Sequence, residues 1–112
     1  MTTQTHNRRI KELQARADVF KALAHPTRLL ILQELADGER CVGDLTEIAG
    51  FDMSTVSKHL TVLKSAGIVA DQKRGLEVWY RLCMPCVLSF FDCVAAVLKA
   101  RHLTPERRES SL

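Results

Sequence analysis

Residues 54–69 read Ser54-Thr55-Val56-Ser57-Lys58-His59-Leu60-Thr61-Val62-Leu63-Lys64-Ser65-Ala66-Gly67-Ile68-Val69. Val56, Leu60 and Leu63 recur at i, i+4 and i+7, the apolar stripe of one helix. On the helical wheel Ser54, Ser57, Lys58, Thr61 and Ser65 face the other way. Asp52 or Ser54 can cap the start, and Gly67 stops the run. The outer face is small, polar and singly charged. Hydroxyls and a lysine suit a major groove, where they reach base edges and phosphates. Any surface helix is polar outside, so the neighbouring elements must decide.

Upstream, Val42, Leu45 and Ala49 form the inward side of a helix over about 42–49, closed by Gly50. Phe51-Asp52-Met53 is the short turn between the two. Pro26 begins an earlier helix that runs to Ala36 with Leu29, Leu32 and Leu35 on one side, ended by Asp37-Gly38. Ile10, Leu13, Ala17 and Phe20 predict a first helix over about 9–23. Downstream the period changes. Ile68–Gln72 and Glu77–Leu82 read as strands, joined by the basic tip Lys73-Arg74-Gly75-Leu76. Trp79 and Tyr80 point to opposite faces, so one of them packs on the core. Pro85 suits the first turn of a last helix reaching about Arg101.

This order is mainly α with a small β-hairpin: a winged helix-turn-helix of about five helices and a two-stranded wing. The helix over 54–66 is the reader. Residues 9–101 form one domain, with 1–8 a flexible N-terminus and 102–112 a flexible tail. His59 lies at the edge of the buried stripe and is expected to make a structural hydrogen bond rather than ligate metal. Arg28 suits either a contact to the DNA backbone or a structural ion pair.

The chain has 112 residues, enough for one domain with a modest core. Hydrophobic residues are 46% and charged residues 26%, which excludes a wholly disordered chain. Sixteen Lys and Arg against thirteen Asp and Glu give +3, which is compatible with a nucleic-acid partner without proving one. The longest apolar run, Val87 to Leu98, holds Ser89 and Asp92 and is too short for a membrane span. The start, Met1 to Arg9, has no apolar signal core, so the expected location is cytoplasmic and the thiols are expected to be reduced. No Ser-His-Asp order, Gly-rich phosphate loop or paired carboxylate set stands out, so neither an enzyme nor a catalytic cofactor is expected. The last helix is apolar on more than one side, through Val87, Leu88, Phe90, Phe91, Val94, Val97 and Leu98. A monomer of this size hardly covers that surface, so a homodimer is expected. A twofold dimer sets its readers about 34 Å apart, on an imperfectly palindromic operator in double-stranded DNA.

Two stretches, Phe20 to Leu32 (with Ala24-His25-Pro26-Thr27-Arg28-Leu29 inside it) and Ser54 to Val69, resemble the ArsR/SmtB family of bacterial metalloregulators. The similarity continues through Arg74-Gly75 and Trp79-Tyr80-Arg81-Leu82 and spans about residues 10–100. The resemblance implies a homodimeric winged-helix repressor whose first and last helices form the dimer interface and whose inducer weakens the DNA complex. Ser54, Thr55, Ser57, Lys58 and Thr61 on the reader, with Lys73 and Arg74 on the wing, are then the expected DNA contacts.

The cysteines are Cys41, Cys83, Cys86 and Cys93. Family members often carry Cys-Val-Cys near the start of the third helix, whereas this chain has Cys41-Val42-Gly43. One thiol of that pair is missing. The His and carboxylate pairs of the zinc-sensing members are also absent from the last helix, which has Asp92 and no His two residues on. Cys83, Cys86 and Cys93 are therefore the better candidates, with Cys41 a more distant fourth. Cys86 and Cys93 stand about 10.5 Å apart along a helix. Thiolates that share one ion lie roughly 4 Å apart, given metal–sulfur bonds near 2.3 Å. Cys83 and Cys86 can share an ion if the strand-to-helix corner folds back, and a third thiol must come from elsewhere, in the same chain or a partner. Thiols favour soft ions. Trivalent arsenic or antimony fits three sulfurs, and cadmium or lead is the next choice. Buried packing is the alternative for Cys93. The alternative signal is a thiol-redox one: some family members sense oxidants or persulfides by forming a disulfide between the third and last helices, here Cys41 with Cys86 or Cys93, which needs Cα atoms within about 7 Å. A protein-only interaction module is the other class, and it predicts no salt-dependent DNA affinity.

Overall fold

The computed structural model describes residues 2–102. Five helices and three short strands follow in the order α1 (Thr2–Leu23), α2 (Pro26–Leu35), β1 (Arg40–Cys41), α3 (Val42–Ala49), α4 (Met53–Ser65), β2 (Val69–Arg74), β3 (Glu77–Leu82) and α5 (Cys86–His102). The fold is the expected winged helix-turn-helix, with two differences. The sheet has three strands in the order β1-β3-β2, all antiparallel, where a two-stranded hairpin was expected. The added strand is two residues long, Arg40 opposite Tyr80 and Cys41 opposite Trp79, so no alternation could announce it. The start of the chain also differs: residues expected to be loose over 1–8 are helical from Thr2, and α1 extends seven residues further than its apolar period. Of the expected tail over 102–112, His102 is the last residue of α5, and 103–112 lie outside the described residues.

The core forms where the periodicities of α2, α3 and α4 meet. Val56, Leu60 and Leu63 of α4 are fully buried against Ile31 and Leu32 of α2 and Leu45 of α3. Burying each such side chain is worth about 1.5–3 kcal/mol. Ile68 and Val69 close this core from the start of β2, and Val87 closes it from the first turn of α5. Of the alternating pair on β3, Tyr80 is the buried partner, and burial pushes its phenol above the ordinary range. Gly50 ends α3 at φ 74° and lets the chain turn into α4, a conformation a side chain would strain. At the wing tip Gly75 sits at φ 64° beside Leu76, the glycine-first pattern of a two-residue hairpin turn.

The outer layer is different. The radius of gyration is 18.0 Å, against about 13 Å for a compact chain of this length. Much of α1 and α5 stands away from the body. Ile10, Leu13 and Phe20 on α1 are exposed, as are Phe90, Val94, Val97 and Leu98 on α5. Phe20 and Phe90 meet edge to face at 5.8 Å, and the groove they border is lined by Leu23, Leu29, Phe91 and Leu98.

Candidate nucleic-acid interface and thiol site

The reader helix is fixed at both ends. Asp52 is its N-cap: the Thr55 backbone N–H donates to Asp52 Oδ1 at 2.9 Å. The Thr55 side chain and backbone together hold the Asp52 carboxyl below its usual range. At the other end Lys64 Nζ pairs with Asp71 of β2 at 3.0 Å, which ties the helix to the wing and raises the lysine above its usual range. Between these anchors Ser54, Lys58, Thr61 and Ser65 are exposed, while Thr55 and Ser57 are half-buried. The Thr61 hydroxyl donates to the Ser57 carbonyl at 2.9 Å, leaving its lone pairs outward.

The two basic wing residues differ. Lys73 is exposed. Arg74 is folded back onto the wing: it pairs with Glu39, donates to Gln72 Oε1 at 2.8 Å and lies 5.4 Å from the centre of the Trp79 ring. Presenting Arg74 to a phosphate requires exchanging these partners.

Of the two roles expected for Arg28, the structural ion pair does not form among the described residues, since its partners are not carboxylates. Its Nε donates to His59 Nδ1 at 3.2 Å, and its Nη1 donates to the carbonyls of Ala22 at 3.1 Å and Lys21 at 3.3 Å. His59 does have the expected structural hydrogen bond, as acceptor. Its ring packs against His25 at 4.4 Å, and His25 Nδ1 accepts the Thr27 N–H that caps α2. Burial, then the charges of His25 and Arg28, hold His59 below the usual histidine range. Sequence periodicity marked His59 only as an edge position; the link to Arg28 spans 31 residues and no local pattern carries it.

The thiols fall into two groups. Cys41 is buried where β1 meets α3. The Asp44 backbone N–H favours its thiolate, but burial and the carboxylates of Glu77 and Asp44 outweigh that bond and push the thiol up. It is a poor nucleophile in this setting. Cys83, Cys86 and Cys93 are exposed. Cys83 follows β3 directly, its N–H bonded to the Ile68 carbonyl at 2.9 Å, and Arg81 Nη1 lies 3.5 Å from its sulfur. Cys86 opens α5, and Cys93 lies seven residues along the same helix. Among the described residues no three His, Cys, Asp or Glu side chains are gathered so as to hold a metal ion. The expected thiol set of Cys83, Cys86, Cys93 and Cys41 therefore does not close within one chain. Cys83 and Cys86 remain as neighbours on one exposed corner.

Among the described residues no helix is long and apolar enough to cross a membrane. The family model for bacterial regulatory proteins of the arsR family matches residues 25–71, from the start of α2 into β2. A transcriptional repressor of Mycobacterium tuberculosis, SmtB, is 40% identical over 70 residues, 62% of this chain; the match takes in about half (52%) of that repressor's length. The biofilm growth-associated repressor of Xylella fastidiosa is 35% identical over 82 residues, 73% of this chain and 69% of that one. The solution structure of the homodimeric winged helix-turn-helix DNA-binding domain of Mb0332 from Mycobacterium bovis, a possible ArsR-family regulator, superposes with a TM-score of 0.71 at 36% identity, covering 86% of this chain and 88% of that one.

Proposed function

The chain belongs to the arsR family of bacterial regulatory proteins, and we propose that it is a homodimeric transcriptional repressor that leaves its operator when cysteine thiols capture a soft ligand, trivalent arsenic or antimony first. The reader face of α4, with Ser54, Thr55, Ser57, Lys58 and Thr61, enters the major groove, and Lys73 and Arg74 reach the flanking phosphates. The second copy covers the exposed apolar residues of α1 and α5. The similar Mycobacterium bovis domain is homodimeric.

One observation carries the inducer half of this reading. The exposed pair Cys83 and Cys86 lies on the corner that joins the last wing strand to α5, so it links the wing to the helix whose apolar face is left exposed. A ligand drawn onto both sulfurs must fix that corner, and fixing it biases one arrangement of wing against α5 over another. Since no three such ligands are gathered among the described residues of one chain, a third sulfur comes from the second subunit. Cys41, buried and held as a thiol, takes no part.

The test is fluorescence anisotropy on a fragment of the protein's own promoter, titrated with arsenite in a phosphine-reduced buffer. Release of DNA, reversed by a chelating dithiol and not by phosphine, supports the soft-ligand reading. Retention under arsenite, with release by a thiol oxidant that phosphine alone reverses, replaces it with a redox signal on the same fold.

A further inference from the structure

The contact between Arg28 and His59 joins three elements that the reading of DNA keeps separate. Arg28 belongs to α2. Its Nη1 takes the last carbonyls of α1, at Lys21 and Ala22, and its Nε takes the ring of His59 on the reader helix. The end of α1 is thus tied to α4 by one guanidinium. The chemistry of the bond fixes a protonation state. Arginine is always a donor, so His59 Nδ1 must be the bare acceptor and the ring proton sits on Nε2. His25 is held in the same way, because a backbone N–H donates to its Nδ1 at 3.1 Å. The two imidazoles, 4.4 Å apart, are therefore each used through an Nδ1 lone pair.

We propose that Arg28 and His59 are positioning residues that latch the reader helix to the end of α1, and that a proton on His59 opens the latch, so that acid lowers the affinity for DNA. The proton comes from solvent and occupies the Nδ1 lone pair. The Arg28 Nε–H then faces an N–H and a second positive charge, and the bond becomes a repulsion. Among the described residues, the charged groups that act on His59 offer no compensation. Those that act on it are His25 from the α1–α2 turn and Arg28 from α2, both basic. From α1, Asp18 and Lys21 line the cleft that Arg28 borders, and Asp18 Oδ1 accepts from Gln14 Nε2 at 3.0 Å. On α4 itself the neighbouring charged residue is Lys58.

The sign separates this device from a general charge effect. Protonating histidines makes the protein more cationic, which by itself strengthens binding to a polyanion. An opened latch weakens it. The inference rests on the chain being a DNA-binding regulator, and the experiment tells the two failures apart. The probe is the tightest duplex recovered by the full-length protein from a random pool at pH 7.5. Its affinity is measured by anisotropy from pH 7.5 to 5.0 at constant ionic strength, with circular dichroism confirming the fold at each pH. Nitrogen-15 spectra of the histidine rings are recorded in parallel.

The wild type is expected to lose about tenfold in affinity across this range, a typical size for coupling between sites. The midpoint should coincide with the titration of the His59 ring, which should carry its proton on Nε2 above that midpoint. His59→Asn places an amide oxygen near Nδ1 and cannot titrate. It should bind as the wild type does at pH 7.5 and show a flat or rising affinity in acid. His25→Asn, which keeps a cap acceptor, should retain the acid-induced loss. An affinity that is flat or rises in acid for the wild type, a loss that survives His59→Asn, or a His59 ring protonated on Nδ1 at pH 7.5 would overturn the latch. Recovery of no duplex at pH 7.5 overturns the DNA reading instead.

Discussion

The body of α2, α3, α4 and the wing and the outer layer of α1 and α5 are made from similar aliphatic residues, but they are finished to different degrees. In the body, Val56, Leu60 and Leu63 lose all contact with solvent. In the outer layer, Phe20 keeps 55% of its surface exposed and Val97 keeps 56%. A single chain can fold the first region by itself, and it leaves the second needing something to cover it. The lesson is a division of labour. The polar face of α4 that is proposed to meet DNA is presented by the region buried on itself. Three of the four thiols lie on, or at the entry to, the region whose apolar residues stay exposed.

The strongest way to break this comparison is to damage the body. Leu60→Ala removes a fully buried side chain at the centre of α4 and should cost about 2–5 kcal/mol, read as a fall in the urea midpoint with an unchanged slope. A loss under 1 kcal/mol would mean that the core is not where the burial places it.

The matching change in the outer layer is Val97→Asp. It should leave the far-ultraviolet spectrum intact and weaken self-association about thirtyfold or more in sedimentation experiments. If it unfolds the chain as Leu60→Ala does, or leaves association unchanged, the two regions are not distinct in this way.

A third change sharpens the placement of the signal. Cys86→Ser should abolish arsenite-driven release and keep operator affinity within about twofold, since its side chain lies away from the reading face. Full induction in that variant would remove the β3–α5 corner from the account of sensing.

The smallest effects concern thiol reactivity and the reader's cap. Cys41, buried and pushed toward the neutral thiol, should alkylate more slowly than the exposed cysteines at pH 7.5, and mass spectrometry of timed aliquots reads the order. Cys41 labelling first would contradict its burial. Asp52→Ala should lower the urea midpoint modestly. The Asp52 carboxyl is held below its usual range in the fold, so its contribution is present above the ordinary carboxylate pKa and is lost as pH falls through the depressed value. The difference between wild type and Asp52→Ala should therefore be visible at pH 7 and shrink toward pH 3; a constant difference would mean the cap acts without its charge.

The sequence was most legible where a single period governs a whole element. The stripe of α4, its cap choices and its stop at Gly67 all follow from side chains within one window, and the structure places them as read, with Asp52 as the cap. The alternation of Trp79 and Tyr80 is equally local. What stayed hidden depends on distance or on weak pattern. The strand at Arg40–Cys41 is defined by its partner β3 rather than by its own composition. The first turns of α1 are polar on all sides, so no periodicity extended the helix back to Thr2. The thiols were countable, but their grouping needed the path of the chain. A chemical argument from helix rise already kept Cys86 and Cys93 from sharing one ion; only the fold showed Cys41 buried while the other three are exposed. The Arg28–His59 contact lies in the same class, two residues whose separate readings gave no hint that they meet.

The most direct test is operator affinity against salt. Anisotropy of the selected duplex at 50 to 300 mM salt should give a straight fall of log K with log salt, steep enough to require several neutralised phosphates. Affinity that is absent, or that does not change with salt, would contradict DNA reading by α4 and the wing and leave the fold as a protein-binding module.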